Sequence, residues 1–257
     1  MTTTKATIRI DAFPESAFRY LDRGTIVCID VINSCTTAVT AVAQGRRVLP
    51  AGDAAEAFRL AGACPEALLA GDPGPGDTVL RFDIANGPAA LGRRKDRRPL
   101  VLLDAPGTRL MTNCRGGREV YVASLRNLSA TVEYLAARRH DVILLGAGDT
   151  GDFRCEDKLA AARIGRALVE RDFAPEGQGT SDMIDRWGDA DVSMVGWGRS
   201  ADQLRQAERQ EDLEFILKHV DDLDVVCRYR NGQVANASAE PSRAVFGRTG
   251  VRGEAVV

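Results

Sequence analysis

The segment Asp30–Thr37, Asp-Val-Ile-Asn-Ser-Cys-Thr-Thr, carries the residue types that phosphoryl chemistry needs. It lies between an apolar run and a stretch rich in Ala and Val, a pattern that predicts a turn from a buried strand into a helix. Ligands of open α/β sheets bind at the carboxyl ends of strands, and free N–H groups at a helix start attract phosphate. We therefore predict that Asp30 acts in catalysis or metal binding. The side chains predicted to bind a phosphate here are Asn33, Ser34, Thr36 and Thr37. The structural alternative for all of them is helix capping.

Cys35, in the same segment, introduces a second chemistry. A thiol at a helix start has a lowered pKa and can act as a nucleophile. The chain has two histidines, His140 and His219, and the sequence links neither to this segment. A Cys–His couple stays open as an alternative. A Ser-His-Asp hydrolase is disfavoured because there is no Gly-x-Ser-x-Gly motif.

A second polar cluster lies within Phe82–Pro88. Asp83 and Asn86 are three residues apart and precede Gly-Pro, which is typical of a turn with side-chain caps. Alternatively, their oxygens are the hard ligands that Mg²⁺ prefers. We predict that both side chains help to bind Mg²⁺.

A third cluster follows the apolar run Leu100–Leu103. Arg109 is predicted to bind a phosphate or carboxylate through two hydrogen bonds, with a surface position as the alternative. Asp104 is a further candidate catalytic group. Gly107 and Thr108 are candidate phosphate contacts in the same turn.

A fourth cluster follows the apolar run Val142–Gly146 and leads through Asp149 and Asp152 into a predicted helix. Glu156 and Asp157 are adjacent carboxylates at the start of that helix. They predict a metal-binding corner, and the alternative is that they compensate the helix dipole. Because four apolar runs each lead into polar groups, we predict that these groups share one edge of a sheet.

The elements that must position these groups alternate between strand and helix patterns. This alternation predicts an α/β fold, a three-layer α/β/α sandwich with a mostly parallel or mixed central sheet. The predicted strands are Thr25–Asp30, Arg47–Leu49, Ala67–Ala70, Leu100–Leu103, Glu119–Val122, Val142–Gly146 and Asp224–Cys227. The predicted helices are Thr36–Ala43, Ala54–Ala61, Leu125–Arg138, Asp157–Arg171 and Ala201–His219.

Two segments interrupt this pattern. Gly71–Asp77, rich in Gly and Pro, predicts a loop at the rim of the site. We predict a domain that spans residues 1–235. Residues 174–198 are expected to form an irregular connection, which would divide this domain into two lobes, 1–173 and 199–235. The remaining residues, 236–257, predict a partly disordered tail.

Composition narrows the class of protein. With 34 basic and 36 acidic residues the net charge is −2, which argues against a nucleic-acid partner. No apolar run approaches the ~20 residues of a membrane helix, and the N-terminus has no signal-peptide pattern. The six cysteines form no Cys-x-x-Cys pair. We expect a cytoplasmic protein with a small-molecule substrate and, by default, a homodimer.

In this order, the motifs resemble those of the 2-phosphosulfolactate phosphatase family. Its Asp-Val-Leu-Arg-Ala-Thr-Thr-Thr-like segment is matched by Asp30, Val31, Thr36 and Thr37, and its Gly-Phe-Asp-x-x-Asn-Ser-Pro segment by Phe82, Asp83, Asn86 and Pro88. Further segments are matched by Gly107, Thr108 and Arg109, by Ser124 and Asn127, and by Ala147, Gly148, Phe153, Glu156 and Asp157. The resemblance implies a Mg²⁺-dependent phosphatase, and it adds Asn127 to the predicted phosphate-binding residues.

The chain departs from this pattern in its cations. Asn33 stands where the family has Arg, and Cys35 where it has Thr. Gly71-Asp-Pro replaces a Gly-Glu-Arg segment, and Asp104-Ala-Pro replaces Thr-Thr-Asn. Each lost charge-assisted hydrogen bond costs about 1.5–3 kcal/mol. The changes therefore predict a less anionic phosphoester as substrate.

The resemblance leaves three functions open. The first is Mg²⁺-dependent hydrolysis of a small phosphorylated hydroxy acid or related metabolite. The second is a repurposed enzyme that catalyses a different step on a small polar metabolite, with Asp104 or Cys35 as a new functional group. The third is a non-catalytic relative that binds a ligand through the same cleft.

Overall fold

The structure, a computed structural model, describes residues 5–71, 81–148 and 151–238. Over these ranges the chain alternates between strands and helices, as the sequence predicts. The strands are β1 (Thr7–Ala12), β2 (Thr25–Ile29), β3 (Val48–Ala51), β4 (Leu68–Gly71), β5 (Leu100–Leu103), β6 (Glu119–Ala123), β7 (Val142–Gly146), β8 (Ala174–Pro175), β9 (Cys227–Arg230) and β10 (Gln233–Asn236). The helices are α1 (Ser34–Ala43), α2 (Ala54–Ala63), α3 (Pro88–Gly92), α4 (Gly107–Asn113), α5 (Leu128–Arg138), α6 (Cys155–Val169), α7 (Gln178–Trp187), α8 (Arg199–Gln206) and α9 (Gln210–Lys218). Short 3₁₀ turns lie at Pro14–Arg19, Leu125–Asn127 and Val192–Trp197.

The described strands form one mixed sheet in the order β4-β5-β3-β10-β9-β6-β2-β7-β1-β8. Strands β4, β5 and β3 are parallel to one another, as are β6, β2, β7, β1 and β8. The hairpin β9–β10 lies between these groups and pairs antiparallel with each. The strands β4, β5 and β3 therefore run in the opposite direction to the strands β6, β2, β7, β1 and β8.

Helices cover both faces of the sheet, which confirms the predicted fold class. On one face, α1 and α4 pack on side chains such as Cys28, Val122 and Leu102. On the other face, α5 and α6 pack on β2, β6 and β7, while α2 covers the β4-β5-β3 end. The alternation of neighbouring strand residues between these cores follows from the two-residue period of a strand.

Most predicted elements are present within one or two residues of their predicted bounds. The exception among the strands is β9, which begins at Cys227 where the predicted strand ends. The predicted helix 201–219 is two helices, α8 and α9. They are separated at Glu208, whose φ of 56° is left-handed and ends α8.

Two predictions of irregular structure are wrong. Gly107–Arg109, predicted as a turn, forms the start of α4. Residues 174–198 are not an irregular connection, because they contain α7 and the turn at Val192–Trp197. The predicted division into two lobes stays a prediction, although the sheet runs across it.

The rim loop predicted at Gly71–Asp77 lies outside the described residues except for Gly71, and so do Asp149 and the tail beyond residue 238. Among the described helices, none combines the length and apolar character that crossing a membrane requires.

Candidate active site

A cavity of about 290 Å³ lies where β2, β5 and β7 end. Strand ends and the start of α6 contribute Asp30, Asp104, Ala147, Arg154 and Asp157 to its lining. The adjoining turns contribute Ile32, Asn33, Ala105 and Pro106, and their Ile32–Asn33 and Ala105–Pro106 peptide bonds are cis. The helical pair α8–α9 supplies the remaining lining residues: Ser200, Gln203, Leu204, Ala207 and Arg209.

Ser34 joins the carboxylates of Asp30 and Asp104, although it is fully buried and does not itself line the cavity. Its Oγ donates a hydrogen bond to Asp104 Oδ2 at 2.6 Å and also hydrogen-bonds Asp30. The Nδ2 of Asn86 donates to the same Asp104 oxygen. Gly107 packs against this group so closely that a Cβ there would overlap Asp30 Oδ2. Glycine at 107 is therefore required for this arrangement.

The electrostatic environment of Asp30 disfavours its charged form. Burial raises the pKa of the Asp30 carboxyl well above its usual range, and repulsion by Asp104 and Glu156 acts in the same direction. The Ser34 hydroxyl and the Arg154 guanidinium oppose this rise in pKa. The site thus concentrates negative charge that a bound cation would relieve.

Glu156 and Asp157, at the start of α6, add two buried carboxyl groups. Asp157 accepts a hydrogen bond from the Val31 N–H at 2.8 Å. Burial raises the pKa of Asp157, with Asp30 and Glu156 contributing. Burial also raises the pKa of Glu156, which the Ser200 hydroxyl partly offsets. Asp157 lines the cavity, whereas Glu156 lies behind it.

Two arginines that no motif singled out also line the cavity. Arg154 immediately precedes α6 and is buried. Arg209 precedes α9, and its Nη2 donates to the main-chain carbonyl of Asn86. The sequence signal that could have found Arg154 is its place beside Glu156 and Asp157. Arg209 gave none, because it lies in an arginine-rich helical stretch far along the chain.

Three other predicted phosphate contacts, Thr36, Thr37 and Thr108, are buried in the protein interior. The Thr36 hydroxyl donates to the Val31 carbonyl at 2.7 Å and holds the β2–α1 turn. The Thr108 hydroxyl donates to the Asp104 carbonyl at 3.0 Å and holds the β5–α4 turn. Thr37 is fully buried, and its hydroxyl has no hydrogen-bond partner among the described residues. In the described structure these three side chains do not line the cavity.

Four further predicted site residues are not brought to the described cavity. Arg109 points toward Glu15, with 3.7 Å between Nη2 and Oε1. Asp83 is exposed and accepts from the Leu69 N–H at 2.9 Å, at the edge strand β4. Asn127 is buried, accepts from the Ser124 N–H and donates to the Val225 carbonyl.

Cys35, the fourth, lies in the core beside β2. Its Sγ is 3.5 Å from the Cys28 carbonyl oxygen, and the side chain is fully buried. Burial raises the pKa of the Cys35 thiol well above its usual range, and Asp30 and Asp157 act in the same direction. The expectation of a lowered pKa is wrong because the helix start is buried against carboxylates.

The donor set of the cavity fits Mg²⁺. Within residues 5–71, 81–148 and 151–238, no three His, Cys, Asp or Glu side chains converge to hold an ion. Mg²⁺ does not need three, because it usually takes one or two carboxylates together with water and substrate phosphate. Asp30 and Asp104 supply two. The buried Oδ1 atoms of Asn33 and Asn86 accept no hydrogen bond from described residues and are neutral oxygen donors.

Fold and site together define an α/β protein whose strand-end cavity combines buried carboxylates with two guanidinium groups. The family model for 2-phosphosulpholactate phosphatase matches residues 12–232. The chain belongs to the 2-phosphosulpholactate phosphatase family, as its motifs predicted. The expected class, phosphoric monoester hydrolase, agrees with that membership.

Curated relatives include proteins named probable 2-phosphosulfolactate phosphatase from several bacteria. The one from Caldanaerobacter subterraneus subsp. tengcongensis is 26% identical over 223 residues, covering 84% of this chain and 92% of that protein. The one from Synechococcus sp. (strain RCC307) is 31% identical over 212 residues, covering 78% and 82%. The one from Carboxydothermus hydrogenoformans is 31% identical over 160 residues, covering 62% and 66%.

Proposed function

We propose that the protein is a Mg²⁺-dependent phosphatase that hydrolyses a small phosphomonoester of a hydroxy acid. One observation carries this proposal: Asp30 and Asp104 share the Ser34 hydroxyl in a cavity that Arg154 and Arg209 also line. Carboxylates that can hold a hard cation, beside guanidinium groups that can bind an anion, are the two requirements of phosphoryl transfer. Family membership supports the same reaction.

The size of the cavity favours a small substrate. Its volume of about 290 Å³ is at the lower end of the range for ligand pockets. Two arginines of the family motifs are absent from this chain, and their absence predicts a less anionic substrate. Because Arg154 and Arg209 supply guanidinium groups from other elements, 2-phosphosulfolactate itself belongs among the substrates to be tested.

The residues in and around the cavity would have different roles in this reaction. Arg154 binds the phosphoryl oxygens, since it lines the cavity and its charge acts on Asp30. Ser34 and Asn86 orient Asp104 through its Oδ2 atom. Asp157 holds the β2–α1 turn by accepting the Val31 N–H. Fixed donors of this kind stabilise developing charge without reorganisation.

Asp30 and Asp104 would hold the Mg²⁺ ion, with the amide oxygens of Asn33 and Asn86 nearby. When bound, the ion neutralises charge on the phosphoryl oxygens and offsets the repulsion among the carboxylates.

The test is phosphate release from a panel of small phosphomonoesters that includes 2-phospholactate, 2-phosphoglycolate and 2-phosphosulfolactate. It compares Mg²⁺ with a chelator, and the wild type with Asp30→Asn and Asp83→Asn. We expect Mg²⁺-dependent release that Asp30→Asn lowers by at least about 100-fold. Asp83→Asn removes an exposed carboxylate outside the cavity and should leave release unchanged.

The proposal fails if folded wild-type protein releases phosphate from no member of the panel. Equal loss in the two variants would show that the strand-end cavity is not the reacting centre.

A further inference from the structure

A second cavity, of about 740 Å³, lies at the edge of the sheet where β1, β2, β6 and β7 begin. We call it the amino-end cavity. The candidate active site lies where β2 and β7 end, so the five residues of β2 separate the two cavities by roughly 15 Å. The amino-end cavity is therefore not part of the site described above.

Positive charge predominates in the amino-end cavity. The four basic residues of its described lining are Lys5, Arg118, Arg139 and Arg228. Against them stand Glu119 and Asp141, which leaves a formal net charge of +2 with His140 neutral. The whole chain, in contrast, carries −2. This edge of the sheet therefore attracts anions.

The two carboxylates of the cavity have partners within the protein. Asp141 Oδ1 accepts hydrogen bonds from the N–H and the hydroxyl of Thr7, at 2.7 and 2.9 Å. Glu119 Oε2 accepts from the Thr25 hydroxyl at 3.1 Å and lies 3.0 Å from His140 Nδ1. Both carboxylates thus connect the starts of neighbouring strands, which accounts for their presence in a basic cavity.

The contacts of the basic residues leave most of their charge in place. Arg139 Nη1 donates to the Arg171 carbonyl at 2.7 Å, which orients the guanidinium without neutralising it. The Arg228 guanidinium lies 5.9 Å from the centroid of the Tyr121 ring. Lys5 pairs with Asp172 at 2.5 Å, but both side chains are more than half exposed, and such pairs contribute little.

The basic residues are distributed along the edge of the sheet. Arg228 lies on β9, Arg118 directly precedes β6, Arg139 directly follows α5, and Lys5 lies two residues before β1. In the sheet, β9 and β1 are four strands apart, a distance of roughly 19 Å. A single phosphate can contact only part of this row of cations, whereas a chain of phosphates can contact several at once. The planar fork of arginine suits phosphate oxygens.

We propose that the amino-end cavity binds a chain of linked phosphate groups, supplied by inorganic polyphosphate or by a nucleotide. The described lining contains no Phe, Tyr or Trp on which a base could stack, so the phosphate chain itself is the recognised group. This inference does not depend on the proposed function, because it concerns a different edge of the sheet.

The test is calorimetric titration of the full chain with orthophosphate, tripolyphosphate and ATP, without Mg²⁺, which itself binds polyphosphates. The wild type is compared with Arg118→Gln/Arg228→Gln. The matched control is Arg59→Gln/Arg97→Gln, which removes the same charge at two exposed positions outside the cavity. Thermal unfolding verifies that each variant is folded.

We expect the wild type to bind tripolyphosphate about 10- to 100-fold more tightly than orthophosphate. Arg118→Gln/Arg228→Gln should weaken tripolyphosphate binding at least about 10-fold, and the control should stay within about twofold of the wild type. ATP binding as tight as that of tripolyphosphate would show recognition of the phosphate chain alone, and tighter binding would identify the source as a nucleotide.

Three results would overturn the inference. Unchanged affinity in Arg118→Gln/Arg228→Gln would place the anion in another part of the protein, such as the strand-end cavity. Equal weakening in the two double variants would show an effect of net charge alone. A wild type that does not bind tripolyphosphate would exclude the site.

Discussion

Gly107 and Asp30 are in such close contact that no side chain fits between them. A Cβ on Gly107 would overlap Asp30 Oδ2 and lie 2.5 Å from Ser34 Oγ. Gly107 is the first residue of α4, and Asp30 directly follows β2. The start of one helix therefore packs against a carboxylate from a distant part of the chain. The position of Asp30 therefore depends on the absence of a side chain at 107.

Gly107→Ala should abolish catalysis, because the added methyl group must displace Asp30, Ser34 or the start of α4. A displacement of about 1 Å at a reacting centre can lower the rate 100-fold. We expect at least that loss in phosphate release. Gly62→Ala is the control, since a Cβ there meets nothing within 4 Å. In a helix it should stabilise the protein by up to about 1 kcal/mol. Normal activity of folded Gly107→Ala would contradict the geometry of this site.

Mg²⁺ should stabilise the wild type but not Asp30→Asn. A ligand at about 100 times its dissociation constant adds about 2.7 kcal/mol to the free energy of unfolding. For a chain of this size that raises the melting temperature by roughly 5–10 °C. Without Mg²⁺, Asp30→Asn should melt no lower than the wild type, because it removes a buried carboxyl that Asp104 and Glu156 repel. Scanning calorimetry with Mg²⁺ and with a chelator measures both effects. Equal stabilisation of the two proteins would place the ion elsewhere.

Cys35→Ala should retain activity, since the thiol is enclosed in the core and its pKa is raised. We expect kcat within about threefold of the wild type, and a free energy of unfolding lower by about 1 kcal/mol for the lost packing. Phosphate release and urea denaturation provide these values. Cys64→Ala, at another buried cysteine far along the chain, is the comparison. A loss of several hundredfold confined to Cys35→Ala would restore the nucleophile hypothesis.

Asp96→Asn should destabilise the fold because Arg46, whose side chain is 0% exposed, loses its ionic partner at 2.7 Å. The expected cost is about 1–3 kcal/mol, since Gln44 and the Arg98 carbonyl still accept from the guanidinium. Hydrogen bonding to Arg46 lowers the pKa of Asp96 to about 2. A depressed pKa means that the stabilisation is complete above the unfolded value of about 3.9. It is then lost as the pH falls toward 2.

Urea denaturation across pH 2–7 tests this dependence. The difference in stability between wild type and Asp96→Asn should shrink below pH 4. Glu214→Gln, which breaks an exposed pair with Lys218, should cost less than about 0.5 kcal/mol at any pH. A difference that does not change with pH would mean that Asp96 contributes through packing and not through its charge.

Local patterns of apolar residues in the sequence were sufficient to predict many of the strands and helices. The apolar run at Val142–Gly146 and the helical period after Asp157 predicted β7 and α6, because burial on one face imposes a period on the sequence. The same logic failed for α7, where Gly177 and Gly179 obscure the helix start. It also did not predict the insertion of β9–β10 between β3 and β6, since strand pairing over such separations leaves no local pattern.

Some residues of the candidate site could be predicted from the sequence, and others could not. Asp30, Asn33, Asp104 and Asp157 line the cavity. Asp30 and Asp104 directly follow apolar strands, Asn33 lies in the turn after β2, and Asp157 lies in the first turn of α6. Cys35 and Thr36 belong to the same motif but face inward. One turn of helix points side chains in all directions, and a motif does not specify which of them face the ligand. The roles assigned to these residues stay predictions.

By itself, the sequence determined the family, the α/β class and the strand ends at which carboxylates collect, because each depends on residues close together in the chain. The tertiary structure decided which of those ends meet. The ladder sense is reversed across β9–β10, so counting strands would place the ends of β2 and β5 on opposite edges, yet Ser34 hydrogen-bonds both Asp30 and Asp104. Arg209 joins them through contacts that span more than a hundred residues, and only the folded chain brings it there.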